Sequence, residues 1–266
     1  FSTNASTGLK EIKYTLTLSN WEEPALQSGK TYLEWSGTTK ITIAAGTVTD
    51  DNSNKSVEKT FTLGHVDFIK PRIEAVSSSI DASAKTETII FNVIDKYLDT
   101  SDHVTLSEIT AYVDGQTVPI SSNAEPGKLK GELKQGTSTS ATINDSTQTV
   151  SQQYTLVLSN FEQSTRNANE YKDFSGTVRI DIAAGAVKDQ GSWVQGSTAD
   201  SSSKNTNDLK PITGKFIDVI NPDLKYVHQA SDINKSGKSY TMTFSITDKY
   251  YTSGKLSVDD LTIKMQ

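Results

Sequence analysis

Residues 154–162 read Tyr-Thr-Leu-Val-Leu-Ser-Asn-Phe-Glu, and residues 14–22 read Tyr-Thr-Leu-Thr-Leu-Ser-Asn-Trp-Glu. In both stretches the first apolar residues fall at every second position, which is typical of a β-strand that buries one face. Two further stretches recur in the same way: residues 43–50 as 182–189, and residues 91–97 as 244–250. The chain is therefore built from copies of one unit, and a period of about 140 to 150 residues predicts a domain-sized unit rather than a solenoid repeat.

The alternation predicts strands throughout the unit. Apolar residues occupy the inward positions of each copy, whereas the outward positions vary: Lys40 corresponds to Arg179, and Thr42 to Asp181. No segment keeps a helical apolar stripe for three turns, and the best candidate, residues 160–171, is predicted to be a loop. The sequence therefore predicts an all-β protein made of β-sandwiches.

Two proline-containing links mark the unit boundaries. Residues 67–73 parallel residues 218–224, and each link carries a proline, which fixes φ and keeps the preceding residue extended. We therefore predict the C-terminal part of one repeat at 1–65, a complete repeat at 66–215 and the N-terminal part of a third at 216–266. These ranges are called the N-terminal, central and C-terminal repeats below.

The two partial repeats pose a packing problem. Half a sandwich exposes an apolar face and open strand edges. Either the polypeptide continues beyond both ends, or the ends pair with other molecules. Because the sequence begins with Phe1 rather than methionine, we expect a segment of a longer protein.

Composition narrows the class of protein. The net charge is −6 with charges of both signs interspersed and no lysine or arginine run, so nucleic acid is not an expected partner. No apolar stretch is long enough to span a bilayer. The chain has no cysteine and is rich in Ser, Thr and Asn, which suits a surface-exposed β-protein stabilised by packing and strand pairing.

No catalytic residue is predicted. The glutamate pair at 22–23 is not kept at 162–163, so a carboxylate pair for glycoside hydrolysis cannot be named. The three histidines occupy unrelated positions of the repeat, without the spacing of a zinc site: His65, His103 and His228. The chain is therefore predicted not to be an enzyme.

Calcium is the one metal for which the sequence offers candidate ligands. Asp50, Asp51, Asn52 and Asn54 cluster in one predicted turn, and Asp189 lies at the matching place of the next repeat. Hard oxygen ligands close in sequence suit calcium, and the alternative is a turn whose Asx side chains bond the backbone. A second possible set combines a link aspartate with a strand-end aspartate: Asp67 or Asp218 with Asp95 or Asp248.

Trp193 is the candidate recognition aromatic. The other tryptophans have aromatic counterparts, which favours core or edge anchors: Trp21 matches Phe161, Trp35 matches Phe174, and Tyr32 matches Tyr171. Trp193 has no counterpart and lies in a polar stretch, so it is predicted to be exposed and available for a ligand such as a glycan.

The recurring blocks resemble a known family. The Ala-Gly-x-Val-x-Asp pattern within residues 43–50 and 182–189, with the Asp-x-x-x-Pro starts at Asp67 and Asp218, is similar to bacterial immunoglobulin-like repeats of large adhesins and biofilm-matrix proteins. The resemblance implies tandem immunoglobulin-like sandwiches that form a stalk. It also implies a cell-surface or extracellular location in a bacterium of the Gram-positive type. The sequence departs from the pattern in its longer period and in lacking Gly-Asn after the aspartate.

The expected role is structural and adhesive, with neighbouring repeats, other copies of the protein, or a glycan or host-surface ligand as partners. Two alternatives remain: a filament subunit completed by strand addition from its neighbours, and a carbohydrate-binding accessory region of a secreted enzyme. Some Gram-positive surface domains of similar build contain isopeptide bonds. Lys96 and Lys249, in the recurring Asp-Lys-Tyr, are candidates for such bonds, and the alternative is an ordinary strand-end ion pair.

Overall fold

A computed structural model describes residues 2–3, 10–19, 21, 36–143, 146–162, 174–194, 196–197, 201–227, 233–251, 257–262 and 264. Within these residues the protein is all-β, as predicted, and its only helices are 3-10 turns at Leu106–Glu108, Ser201–Ser203 and Val258–Asp260. The strands are β1 (Ser2–Thr3), β2 (Lys10–Glu11), β3 (Gly37–Ile43), β4 (Lys59–Val66), β5 (Arg72–Asp81), β6 (Thr86–Ile94), β7 (Ile109–Val113), β8 (Gln116–Val118), β9 (Ile120–Ser121), β10 (Leu129–Ile143), β11 (Ser146–Ser159), β12 (Gly176–Ile182), β13 (Trp193–Val194), β14 (Lys210–Ile217), β15 (Asp223–Val227), β16 (Ile233–Asn234), β17 (Ser239–Tyr240) and β18 (Thr243–Thr247).

Two sheets share the main hydrophobic core. One sheet has the order β5-β6-β11-β10-β9, and the other has the order β14-β12-β7-β8. All strand pairs in them are antiparallel except β9 with β10. Side chains from both sheets enter one cluster, which is the packing of a β-sandwich. Every strand of these sheets lies inside the predicted central repeat except β14, which continues to Ile217 beyond the predicted end at residue 215. The division of the chain into three repeats stays a prediction.

The core follows from the alternation in the sequence. In β6, Ile89, Phe91 and Val93 are buried while the residues between them are partly exposed, and β12 buries Val178 and Ile180 in the same way. A strand side chain that points to the other sheet loses water, and its neighbour does not. Glu87 continues the inward row of β6 and is also buried.

A third sheet, β13-β4-β3, joins the N-terminal repeat to the central one. β3 and β4 form a hairpin that corresponds to β12 and β14, with the same type of irregularity in its register. β13 comes from the central repeat, and it pairs Trp193 with His65 and Val194 with Gly64. The central repeat thus adds a strand to the edge of the preceding repeat.

Residues 14–18 differ from the prediction. They form no strand, and Tyr14 is 86% exposed although its counterpart Tyr154 is 1% exposed. Tyr154 lies on β11, between β6 and β10. Residues 14–18 have no strand on either side among the described residues, so a sequence that differs from residues 154–158 at one position is left exposed.

The C-terminal repeat forms a β15–β18 ladder and a short β16–β17 ladder, which correspond to β5 and β6. Its apolar side chains are largely exposed, including Leu224 and Met242.

No helix in the described part of the chain has the length and apolar character needed to cross a bilayer.

Candidate functional site

The Asp50 turn is closed by its own hydrogen bonds. The backbone N–H groups of Asn52 and Asn54 donate to Asp50 Oδ1 at 2.9 and 2.8 Å, and Asn54 Nδ2 donates to Asp50 Oδ2 at 2.8 Å. The side-chain bond from Asn54 is the main reason why the pKa of Asp50 lies below its usual value. The turn matches the Asx geometry that the sequence left open as the alternative to a calcium site.

Asp189 makes the matching set of bonds in the central repeat. Its Oδ1 accepts from the N–H groups of Gly191 and Asn205 at 2.7 and 2.8 Å, and its Oδ2 accepts from Asn205 Nδ2 at 2.5 Å. Asp189 is fully buried, and burial raises its pKa. The two repeats therefore share one Asp–Asn lock, Asp50 with Asn54 and Asp189 with Asn205, although fifteen residues separate the second pair and only three the first.

This lock bears directly on the calcium prediction. The carboxylates of Asp50 and Asp189 accept hydrogen bonds from N–H donors of their own turns. Asp50, Asp51, Asn52 and Asn54 lie in one turn, and Asp189 lies in a different one. Among the described residues, no three His, Cys, Asp or Glu side chains converge as metal ligands would.

The link and strand-end aspartates also bond the backbone. Asp67 Oδ1 accepts from Ile69 N at 3.2 Å, and Asp95 Oδ1 accepts from Tyr97 N at 2.7 Å. Asp218 and Asp248 make the corresponding bonds to residues 220 and 250. Each of these four carboxylates therefore shapes a turn next to a repeat boundary.

Trp193 lies half-buried at the boundary between two repeats. Its indole stacks on the His65 ring, with centroids 4.1 Å apart and planes 13° apart, and β13 holds it there by pairing with β4. One face of the indole is thus already occupied by protein.

The other aromatic residues were predicted to be core or edge anchors. Phe161 and Phe174 pack in or against the core, while Trp35, Tyr32 and Tyr171 lie outside the described residues.

An open groove of about 510 Å³ lies beside Trp193. Its walls are mainly apolar, and they come from the N-terminal repeat and from β13: Leu16, Leu18, Trp21, Leu63, Trp193 and Val194. Leu16 and Leu18 correspond to Leu156 and Leu158 of the main core. Within the described residues, the groove is therefore an open apolar face of the N-terminal repeat, at the place where the central repeat has its core.

The recurring Asp-Lys-Tyr meets the preceding repeat at both boundaries. At the first, Lys96 Nζ donates to the backbone carbonyl of Ser36 at 2.6 Å, and the Tyr97 ring meets His65 edge to face with centroids 4.2 Å apart. Ser36 Oγ in turn donates to Asp67 Oδ1 at 2.8 Å. Lys96 thus binds across the boundary, and among the described residues it has no partner for the strand-end ion pair that the sequence allowed.

The second boundary repeats this arrangement. Lys249 Nζ donates to the carbonyl of Ser175 at 3.1 Å, and the Tyr250 ring meets Phe216 edge to face at 4.7 Å. The hydroxyl oxygen of Tyr250 also lies 3.0 Å from Ser175 O. Ser175, Phe216 and Lys249 are the sequence counterparts of Ser36, His65 and Lys96.

Asp114 strengthens the second boundary only. It lies in the turn between β7 and β8, and its Oδ2 accepts from the Tyr250 hydroxyl at 2.5 Å and from Lys249 Nζ at 3.2 Å. These bonds, with one from Thr177 N, lower the pKa of Asp114 to about 2, and the bond from Tyr250 has the largest effect. Gly176 is required beside it, because its φ is +149° and a Cβ would meet the Asp114 carboxylate.

The electrostatics of the first boundary centre on His65. Its side chain is buried between Trp193 and Tyr97, and burial, with the nearby Lys96 charge, lowers its pKa to about 4. A neutral imidazole fits this aromatic setting, whereas a cation would be desolvated.

Sequence reasoning missed the serine and the ring on the preceding repeat. A signal for the serine was present, because residues 35–38 read Trp-Ser-Gly-Thr and residues 174–177 read Phe-Ser-Gly-Thr. No signal linked His65 to Trp193, because Phe216 takes the place of the histidine at the second boundary and the N-terminal repeat has only three residues, 51–53, where the central repeat has residues 190–204.

No protein-family model matches the chain, and neither a curated protein nor a solved structure matches it.

Proposed function

We propose that this chain is a non-catalytic, structural and adhesive stalk segment of a bacterial cell-surface or extracellular protein, built from tandem immunoglobulin-like sandwiches. The observation that supports the proposal most is the repetition of the boundary contacts. Lys96 and Lys249 each bind the carbonyl of a matching serine, and Tyr97 and Tyr250 each pack on a matching ring. A stiff stalk requires contacts that fix each repeat against the next, whereas an isolated binding domain does not require the same contacts at two boundaries.

The proline links support the same reading. Pro71 and Pro222 restrict the backbone between consecutive repeats. At the first link, Asp67 N donates to Ser192 Oγ at 2.7 Å, and Asn205 Nδ2 donates to Asp67 O at 3.1 Å. The link therefore has both covalent stiffness and lateral hydrogen bonds, and each further repeat would extend the stalk in the same manner.

Stiffness can be measured across the first boundary. The chain has no native cysteine, so Lys59→Cys on β4 and Ser79→Cys on β5 can carry two spin labels at exposed sites. Pulsed electron paramagnetic resonance should give one narrow distance distribution. The Lys96→Met/Tyr97→Leu variant should broaden it, because both cross-boundary contacts are removed.

The matched control is Lys85→Met, which removes an ion pair with Glu162 inside the central repeat and should leave the distribution unchanged. A broad distribution in the unmodified chain would contradict a stiff stalk. Circular dichroism of each variant checks that the sheets have formed.

A further inference from the structure

The two partial repeats carry complementary halves of the same sandwich. The N-terminal repeat supplies residues 14–18, β3 and β4, which correspond to β11, β12 and β14 of the central repeat. The C-terminal repeat supplies β15 and β18, which correspond to β5 and β6. In the central repeat these two sets pack on each other to form the core.

The central repeat shows how the two sets pair. β11 pairs with β6, and the register places Tyr154 opposite Phe91 and Leu156 opposite Ile89. The counterparts of these four residues are, in the same order, Tyr14, Phe244, Leu16 and Met242. Leu156 and Ile89 are fully buried, whereas Leu16 is 64% and Met242 50% exposed.

A second pair of strands follows the same rule. In the central repeat β12 pairs with β7, and Ile182 lies opposite Ile109. Their counterparts are Ile43 on β3 and Leu261 after the last 3-10 turn, and both side chains are exposed. That turn is a true counterpart, because Ser257 N donates to Asp260 Oδ2 as Thr105 N donates to Glu108 Oε2.

We propose that the C-terminal repeat of one copy of this chain docks on the open N-terminal repeat of a second copy, with Met242 opposite Leu16 and Phe244 opposite Tyr14. The added strand covers the apolar groove beside Trp193 and completes a mixed sandwich. Because the two docking surfaces differ, the contact is head to tail. A copy that has docked through one surface still has the other surface available, so the assembly is open-ended. This goes beyond the stalk proposal, which concerns only boundaries within one chain.

The proposed seam ends at Met242. At the next inward position the C-terminal repeat has Tyr240 where the central repeat has Glu87, and the N-terminal repeat has Leu63 where the central repeat has Gly214. In the central repeat these two positions touch, because a Cβ on Gly214 would meet the Glu87 carboxylate. Two larger side chains do not fit that space. β16 and β17 form a ladder separate from β15 and β18, so this end of the hairpin can diverge from the second copy.

Cysteine cross-linking tests the register directly. Leu16→Cys and Met242→Cys are made in separate chains, mixed in equal amounts and oxidised. Residues directly opposite in an antiparallel pair have Cα atoms about 4.5–5.5 Å apart, within the range of a disulfide. The expected product is a heterodimer that contains one chain of each kind, identified by mass spectrometry.

Ser245→Cys replaces Met242→Cys in the matched control, because residue 245 lies on the opposite face of the strand and three positions along it. Equal cross-linking by the control would overturn the register. A predominance of Leu16–Leu16 or Met242–Met242 homodimers would overturn the head-to-tail arrangement.

Sedimentation velocity of the unmodified chain gives an independent readout. The weight-average mass should rise continuously with concentration, and the Leu16→Asp/Leu18→Asp variant, added in equal amount, should shorten the assemblies because it can occupy only one kind of end. A chain that stays monomeric at all concentrations overturns the assembly. That result would leave the stalk proposal intact, since the stiffness measurement concerns one chain.

Discussion

His65 and Phe216 occupy the same position at the two boundaries, yet only His65 can take up a proton. Both rings receive the edge of the following tyrosine. His65 is in addition stacked on Trp193, and its pKa is lowered to about 4 by burial and by Lys96. Since the unfolded chain binds a proton near the ordinary value of 6.5, the stability that neutral His65 gives is present above pH 6.5 and is lost as the pH falls toward 4.

The His65→Phe variant should remove this dependence, because phenylalanine already serves at the matching position. We expect the urea midpoint of the unmodified chain to fall more between pH 6.5 and 4 than that of the variant. The imidazole signal that the variant lacks should titrate near pH 4 in NMR spectra. A titration of that signal near 6.5 would contradict the burial argument.

Glu87 has the opposite dependence on pH. It lies fully buried on the inward row of β6, where its Oε1 accepts from Lys215 N at 2.5 Å. Burial raises its pKa to about 7 from 4.5, against the smaller opposing effect of Lys215. The folded state therefore holds a proton that the unfolded state has released, so the contribution of Glu87 to stability is present below pH 4.5 and is lost as the pH rises through 7.

The Glu87→Gln variant should retain the packing and remove that loss. Between pH 4.5 and 7, the unmodified chain should lose at most about 1.4 kcal/mol of unfolding free energy per pH unit relative to the variant. Chemical denaturation across this range measures the difference. Glu74→Gln, at an exposed position of β5, is the control, and a Glu87→Gln profile parallel to the unmodified one would refute the assignment.

At the scale of elements, the two repeats differ in the length of sequence between the two lock residues: three residues between Asp50 and Asn54, and fifteen between Asp189 and Asn205. In the central repeat this stretch includes β13, which extends the β3–β4 hairpin to three strands. Ser192 and Asn205 also bond Asp67 of the link. The longer stretch of the central repeat is thus part of its boundary with the repeat before it.

Removal of the Trp193 indole should therefore loosen β4 and leave the central core intact. An aromatic pair contributes about 0.5–1.5 kcal/mol, so we expect hydrogen exchange at Gly64 and His65 to accelerate roughly twofold to thirteenfold in Trp193→Ala. Exchange at Phe91 should not change. Trp21→Ala, which removes an indole from the same groove without affecting β13, is the control, and unchanged protection at Gly64 in Trp193→Ala would contradict this role.

At the scale of the whole molecule, the described residues place one closed sandwich between two open halves. Each boundary is fixed by contacts from the Asp-Lys-Tyr of the following repeat. The closed sandwich buries its apolar rows, and the open halves expose theirs, although the sequences match. Uncovered apolar surface of this kind favours association, which is the physical basis of the proposed assembly.

The sequence by itself determined the all-β class, the inward rows and the recurrence of the strands, because period-two alternation and turn residues act locally. It also gave the Asx turn at Asp50 as one of two possibilities. Only the tertiary structure decided whether an inward row is buried: Leu156 lies on a strand with a partner on each side and is fully buried, whereas Leu16, which also follows Tyr-Thr in sequence, is exposed. Lys96 with Ser36 and Trp193 with His65 were equally beyond reach, since they join residues far apart in the chain whose meeting depends on how two repeats pack.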